Sequence, residues 1–243
     1  MIHHWGGAES GTTVLSVRGV RIAASITGSG DPVLLLNGLS RPMQSWTPFL
    51  EAFPGRTVIS YDSPGVGASQ TPLIPFSMPM LADVAVRVLD EFGVGAADVV
   101  GFSFGGAVAQ QLALGHPGRV NRLVLLASAC GVGAVPGVPR IGLLCRQWKP
   151  APKWLGLLWQ IAAISSWTSI PGLGRIKAPT LVLCGDADKP VPPANSRVLA
   201  SRISDARLIT VRGGHDLQKP GPAAVVARLV GEFLDRPAPA AAS

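Results

Sequence analysis

The sequence predicts an α/β fold, a mostly parallel central sheet with helices on both faces. Three observations carry this. Short, largely apolar runs recur at 33–36, 57–60, 123–127 and 180–184, the pattern of strands buried on both sides. Segments with helical spacing of apolar residues fall between them, at 80–92, 105–116, 193–202 and 222–234. The chain has 243 residues, of which 47% are hydrophobic and 14% charged, enough for one large core.

Taken in order, residues 14–17 and 20–26 are β-rich runs around Arg18-Gly19 and predict an antiparallel hairpin. Asp31-Pro32 opens the buried strand at 33–36, and 57–60 follows as another. The helix at 80–92 stops at Gly93. A very short strand at 98–101 runs almost directly into the helix at 105–116. Strands at 123–127, 180–184 and 206–211 alternate with the remaining helices, which is how parallel sheets are wound.

The stretch 131–177 breaks the rhythm. It holds Pro136, Pro139, Pro150, Pro152 and Pro171, together with Trp148, Trp154, Trp159 and Trp167. It predicts a short helical cap inserted over the sheet. The flanking segments 1–12 and 236–243 are polar or low in complexity and are expected to be flexible, leaving 13–235 as one domain.

The formal net charge is +7, but the basic residues are scattered singly and no nucleic-acid motif is present. The charge reads mainly as a solubility feature, with an anionic surface partner as the lesser alternative, and no nucleic-acid partner is expected. Cys130, Cys145 and Cys184 are far apart and lack metal-ligand spacing, so reduced thiols are expected and no metal. The opening MIHHWGGAESG lacks the basic start and apolar stretch of a secretory signal, and no run reaches the ~18 apolar residues of a membrane span. A cytoplasmic location follows as the expectation.

Chemistry concentrates in GFSFG, residues 101–105. A G-x-S-x-G match is short, but here a strand ends at Gly101 and a helix begins near Gly105. That sharp turn pushes the Ser103 hydroxyl out at the sheet edge, beside the positive end of a helix. A serine hydroxyl needs a base, and the base needs an acid to hold its tautomer. Of the four histidines, His3 and His4 precede the fold and His116 ends the helix after Ser103. His215, in VRGGHDLQ, remains as the base. Asp186 and Asp188 both follow the strand at 180–184; Asp188 is preferred as orienter, and Asp186 suits turn amides. Asp216 is expected to face solvent. Backbone N–H groups of Phe104 and Leu39, the latter in Asn37-Gly38-Leu39-Ser40, are the candidate oxyanion donors. Trp148, Trp159 and Trp167 are candidate linings of an apolar acyl pocket, against the plainer alternative of cap-to-sheet packing.

These motifs resemble the α/β-hydrolase fold, and within it the intracellular poly(3-hydroxyalkanoate) depolymerases of the medium-chain-length type. The similar stretches are LLLNGL at 34–39, YDSPGVGASQTP at 61–72, GFSFGGAVAQQLA at 101–113, RLVLLASACGVGAVPGVPR at 122–140 and SWTSIPGLGRIKAPTLVLCGDAD at 166–188. The region around Gly214-His215 is similar too. The resemblance implies a Ser103–His215–Asp188 triad and hydrolysis of esters between 3-hydroxy acids at cytoplasmic polyester granules, without a cofactor. The chain departs from that pattern in a shorter cap, in Ser40 where Gly is usual, and in Asp216 where an apolar residue is common. A small-molecule carboxylesterase, an enol-lactonase and a non-catalytic binding protein of the same fold are the competing readings. Dehalogenases and epoxide hydrolases use an Asp nucleophile, and position 103 is Ser.

Overall fold

The computed structural model of the chain describes residues 11–137 and 153–236. Among these, eight strands form one sheet in the order β1-β2-β4-β3-β5-β6-β7-β8. β1 (Gly11–Val17) and β2 (Val20–Thr27) make the expected hairpin. Its two-residue turn puts Arg18 at φ 51° and Gly19 at φ 77°, the left-handed geometry that matches strand twist. Pairing starts at Gly11, opposite Ile26, so Gly11 and Thr12 belong to the sheet rather than to a flexible leader. Residues 1–10 and 237–243, which make up nearly all of the two segments expected to be flexible, lie outside the described residues.

β2 runs antiparallel to β4 (Thr57–Tyr61); from there across β3 (Pro32–Leu36), β5 (Ala97–Phe102), β6 (Val120–Leu126), β7 (Thr180–Gly185) and β8 (Ala206–Val211) every pairing is parallel. β3 therefore lies between β4 and β5. The chain leaves β3 toward one side and β5 toward the other, and this opens a crevice at the carboxyl ends of the strands.

Strand alternation divides the core in two. Leu34, Leu36, Val99, Leu123, Leu125 and Val182 face α2 (Met78–Glu91), α3 (Phe104–Gly115) and α5 (Pro193–Arg202). Val33, Leu35, Val100, Val124, Leu126 and Leu181 face α1 (Thr47–Leu50) and α6 (Pro222–Leu234). Residues on both faces of each central strand are buried, which is why the runs read as continuously apolar. α2 starts under a Ser77 cap whose hydroxyl accepts from Met80 N–H, and Met78, Leu81, Ala82, Ala85 and Leu89 form its buried stripe. Cys130 and Cys184 are buried free thiols; Cys145 lies outside the described residues.

The insertion carries α4 (Trp154–Ser165) and a 3₁₀ turn at Ile170–Arg175. α4 crosses the loop after β4 so closely that a Cβ on Gly65 would lie 2.5 Å from Gly156 Cα. Its opposite face exposes Trp154, Leu155 and Leu158. No helix among the described residues is long and apolar enough to cross a membrane.

Leu125 is 0% exposed, at the centre of the larger core. Leu125→Ala is expected to lower unfolding stability by about 2–5 kcal/mol, whereas Val14→Ala on the exposed edge strand should stay within about 0.5 kcal/mol. Urea denaturation of both variants checks the contrast.

Candidate active site

β5 ends at Phe102 and α3 begins at Phe104, so Ser103 alone makes the turn. It does so at φ 54° and ψ −115°, a conformation that non-glycine residues rarely take and that costs about 1–3 kcal/mol. Its backbone is held from both sides. Ser103 N–H donates to Leu126 O at 2.8 Å, and its carbonyl accepts from Ser128 Oγ at 2.9 Å. The surrounding glycines are forced by contact: a Cβ at Gly101 would lie 2.5 Å from Gly105 O, one at Gly106 2.5 Å from Ser128 Oγ, and one at Gly105 would run into the Leu36 carbonyl.

His215 Nε2 lies 3.0 Å from Ser103 Oγ, and its Nδ1 lies 2.9 Å from Asp188 Oδ2. The tautomer that satisfies both contacts carries its proton on Nδ1, donates it to Asp188, and leaves Nε2 to accept the Ser103 hydroxyl. Asp188 is 3% exposed, and its other oxygen accepts Val191 N–H at 2.8 Å. His215 is 9% exposed and packs against Phe102, ring centroids 5.2 Å apart.

Two loops that end neighbouring strands bring acid and base together. Asp186 Oδ1 accepts Gly213 N–H at 2.9 Å, and Ala187 N–H donates to Gly213 O at 2.8 Å. Asp186 thus satisfies a backbone amide, as its position suggested, while Asp188 meets the imidazole. Gly213, at φ 142°, supplies a backbone turn that side chains resist.

Phe104 N–H is the first of α3, and an amide in the first turn has no acceptor within its own helix. Leu39 sits in a tight turn closed by Arg41 N–H donating to Gly38 O at 3.1 Å. A Cβ on Gly38 would touch Phe102 at 3.0 Å, so this turn lies directly against the end of β5.

Asp216 does not face solvent as expected. It pairs with the buried guanidinium of Arg41 and with Lys219. Burial pushes its carboxyl pKa up, but Arg41 and Lys219 more than offset this and hold it below the ordinary value. Arg41 also donates to Gln218 Oε1 at 3.0 Å and stacks 4.7 Å over the Phe102 ring. Gln218 Nε2 donates to Asn37 Oδ1 at 3.1 Å, and Asn37 Nδ2 donates to Pro42 O and Ser45 Oγ. This buried lattice ties the turn at 37–41 to the loop that carries His215. Arg41, Gln218 and the Asn37 side chain escaped the sequence reading, because the partners are about 180 residues apart and share no local pattern.

Of the three tryptophans expected in an acyl pocket, Trp148 lies outside the described residues. Trp159 Nε1 donates to Pro72 O at 3.0 Å, and Trp167 Nε1 to Gln111 Oε1 at 2.7 Å, with Trp167 buried in the larger core. These contacts tie Trp159 to the loop after β4 and Trp167 to α3. His116 ends α3, as expected, and its Nε2 lies 3.0 Å from Asp83.

An eight-stranded sheet of this order, with a strained serine between β5 and α3, defines a class. The chain belongs to the alpha/beta hydrolase family, whose fold model matches residues 31–141. Among its relatives is a poly(3-hydroxyalkanoate) depolymerase of Ectopseudomonas oleovorans, 36% identical over 240 residues, covering 84% of each chain. A solved hydrolase from Pseudomonas aeruginosa PA01 superposes with a TM-score of 0.82 at 25% identity, covering 93% of this chain and 98% of the other. An enol-lactonase from Burkholderia xenovorans LB400 shares the fold, with a TM-score of 0.84 at 24% identity over 92% of this chain and 100% of its own.

Because the Asp216 carboxyl is held below its unfolded value, its contribution to stability is present above the unfolded pKa and disappears as pH falls through the lowered one. Asp216→Asn should cost about 1–3 kcal/mol at neutral pH, and the gap from wild type should close in strong acid. Denaturant titrations across that pH range measure it. Gly106→Ala should destabilise the fold by at least about 2 kcal/mol, since the new methyl collides with Ser128 behind the turn; thermal unfolding checks this.

Proposed function

We propose that the protein is a serine hydrolase that cleaves carboxylic esters through an acyl-enzyme, acting on esters of 3-hydroxy acids such as poly(3-hydroxyalkanoate). The observation that carries the reading is the contact series from Ser103 Oγ to His215 Nε2 at 3.0 Å and from His215 Nδ1 to Asp188 Oδ2 at 2.9 Å. In this mechanism Ser103 Oγ attacks the ester carbonyl while His215 Nε2 takes its proton. The Phe104 and Leu39 amides hold the oxyanion. The C–O bond to the alcohol breaks, and His215 returns the proton to the departing oxygen. Water then attacks the acyl carbonyl, giving its proton to His215, and the acid leaves as Ser103 regains its hydrogen. Asp188 keeps the imidazole in the tautomer this requires and stabilises its transient positive charge.

The substrate class is supported by the 36% identical relative named as a poly(3-hydroxyalkanoate) depolymerase. Exposed Leu73, Ile74, Trp154, Leu155 and Leu158 would give a polyester granule surface apolar side chains to touch. A cytoplasmic setting accords with such granules.

A fluorophosphonate probe should label the wild-type protein and leave Ser103→Ala unlabelled. Hydrolysis of a suspended medium-chain polyester and of a soluble short ester should both fall at least about a thousandfold in Ser103→Ala. Activity on the short ester or on lactones alone would make the protein a small-molecule esterase or lactonase. No labelling and no turnover would overturn the catalytic reading.

A further inference from the structure

Gln160 of α4 is 2% exposed and reaches down from the cap to the turn at 37–41. Its Oε1 accepts Ser40 N–H at 2.8 Å. Only the oxygen of a carboxamide can accept, so this bond fixes the orientation of the group and turns its NH₂ away from the Ser40 amide. That Nε2 is buried and makes no hydrogen bond, and the same is true of Ser40 Oγ. Buried polar groups are almost always satisfied, and these two belong to residues already joined through Ser40 N–H and Gln160 Oε1. Ser40 also holds φ 53°, a backbone state that glycine would take without strain, yet the position carries a hydroxyl.

We propose that Gln160 and Ser40 form a polar subsite that binds a hydroxyl or carbonyl oxygen on the acyl portion of the substrate, close to the scissile carbonyl. The inference rests on the ester-hydrolase reading and deepens it. Ser40 directly follows Leu39, so an oxygen bound here sits within a few bonds of the carbonyl held by the Leu39 amide. The acyl side is chosen by topology. His215 must stand beside the departing alcohol, and it reaches Ser103 from the end of β8; Ser40 extends from the end of β3, on the other side of β5. A hydroxyl suits the pair best: it accepts from Gln160 Nε2 and donates to Ser40 Oγ. An unsubstituted acyl chain leaves both groups unpaired, and sites built around such hydrogen bonds discriminate against the analogue that lacks them.

The test compares kcat/KM for p-nitrophenyl 3-hydroxybutyrate and p-nitrophenyl butyrate. Gln160→Glu keeps an acceptor for Ser40 N–H and removes the NH₂ donor. The preference of the wild type for the hydroxy ester should fall by about 10- to 100-fold in Gln160→Glu, and several-fold in Ser40→Ala. A preference unchanged within twofold in folded variants, or an equal loss on both esters, overturns the subsite while leaving the hydrolase reading intact. If Gln160→Glu does not fold, inhibition of the wild type by 3-hydroxybutyrate against butyrate decides: tighter binding of the hydroxy acid supports the subsite, and equal binding rejects it. A wild type inert toward both esters removes the ester-hydrolase reading and the subsite with it.

Discussion

The turn at Ser103 is the constraint around which the rest is arranged. One residue reverses the chain between a buried strand and a buried helix, in a backbone conformation that is unfavourable by itself. It persists because its surroundings allow no other path. The Leu126 carbonyl takes the Ser103 N–H, Ser128 caps the Ser103 carbonyl, and Gly101, Gly105 and Gly106 let three backbone segments approach within contact distance. Behind Ser128, Gln110 donates to Ala129 O and accepts from Ser169 Oγ, so the support extends from α3 into the segment that leads out of the cap. Rigid packing here fixes the position of one hydroxyl, and everything that meets this hydroxyl comes from loops.

Those loops are joined by polar groups sealed from water. Arg41, 3% exposed, stacks on Phe102 and pairs with Asp216, while Asn37 and Gln218 close the link between the ends of β3 and β8. A buried guanidinium is expensive to desolvate, and burial does lower the Arg41 pKa against the pull of Asp216. The arrangement exchanges some stability for fixed spacing between the turn at 37–41 and the imidazole. Asp62, buried and accepting Met43 and Ala68 N–H at 2.7 Å each, does the same for the loop after β4.

Much of this was legible in the sequence. Apolar runs flanked by turn residues marked β3, β4, β6 and β7, because residues buried on both faces leave no alternation to confuse the pattern. The helices at Pro193–Arg202 and Pro222–Leu234 began at prolines, which suit a first helical turn. The three residues now within hydrogen-bond reach were marked by glycines whose positions only tight turns require. What stayed hidden depended on distance. Asp216 read as a surface charge because its partner Arg41 is 175 residues away. The hydrogen-bond partners of Trp159 and Trp167 stayed hidden because composition does not say which way an indole N–H points. The helical stretch from Met43 to Leu50 drew no attention, since two adjacent short turns carry too few residues to show a period.

The seam between α4 and the loop after β4 has a consequence for which residues the chain can carry there. Gly156 and Gly65 meet backbone to backbone, with Lys153 reaching Ser69 O and Trp159 reaching Pro72 O on either side. A methyl group at either glycine would lie within about 2.5 Å of the opposite backbone, so any larger residue must push helix and loop apart. Farther along the helix Ala163 and Ile164 join the larger core, so such a wedge would strain apolar packing at one end and polar links at the other.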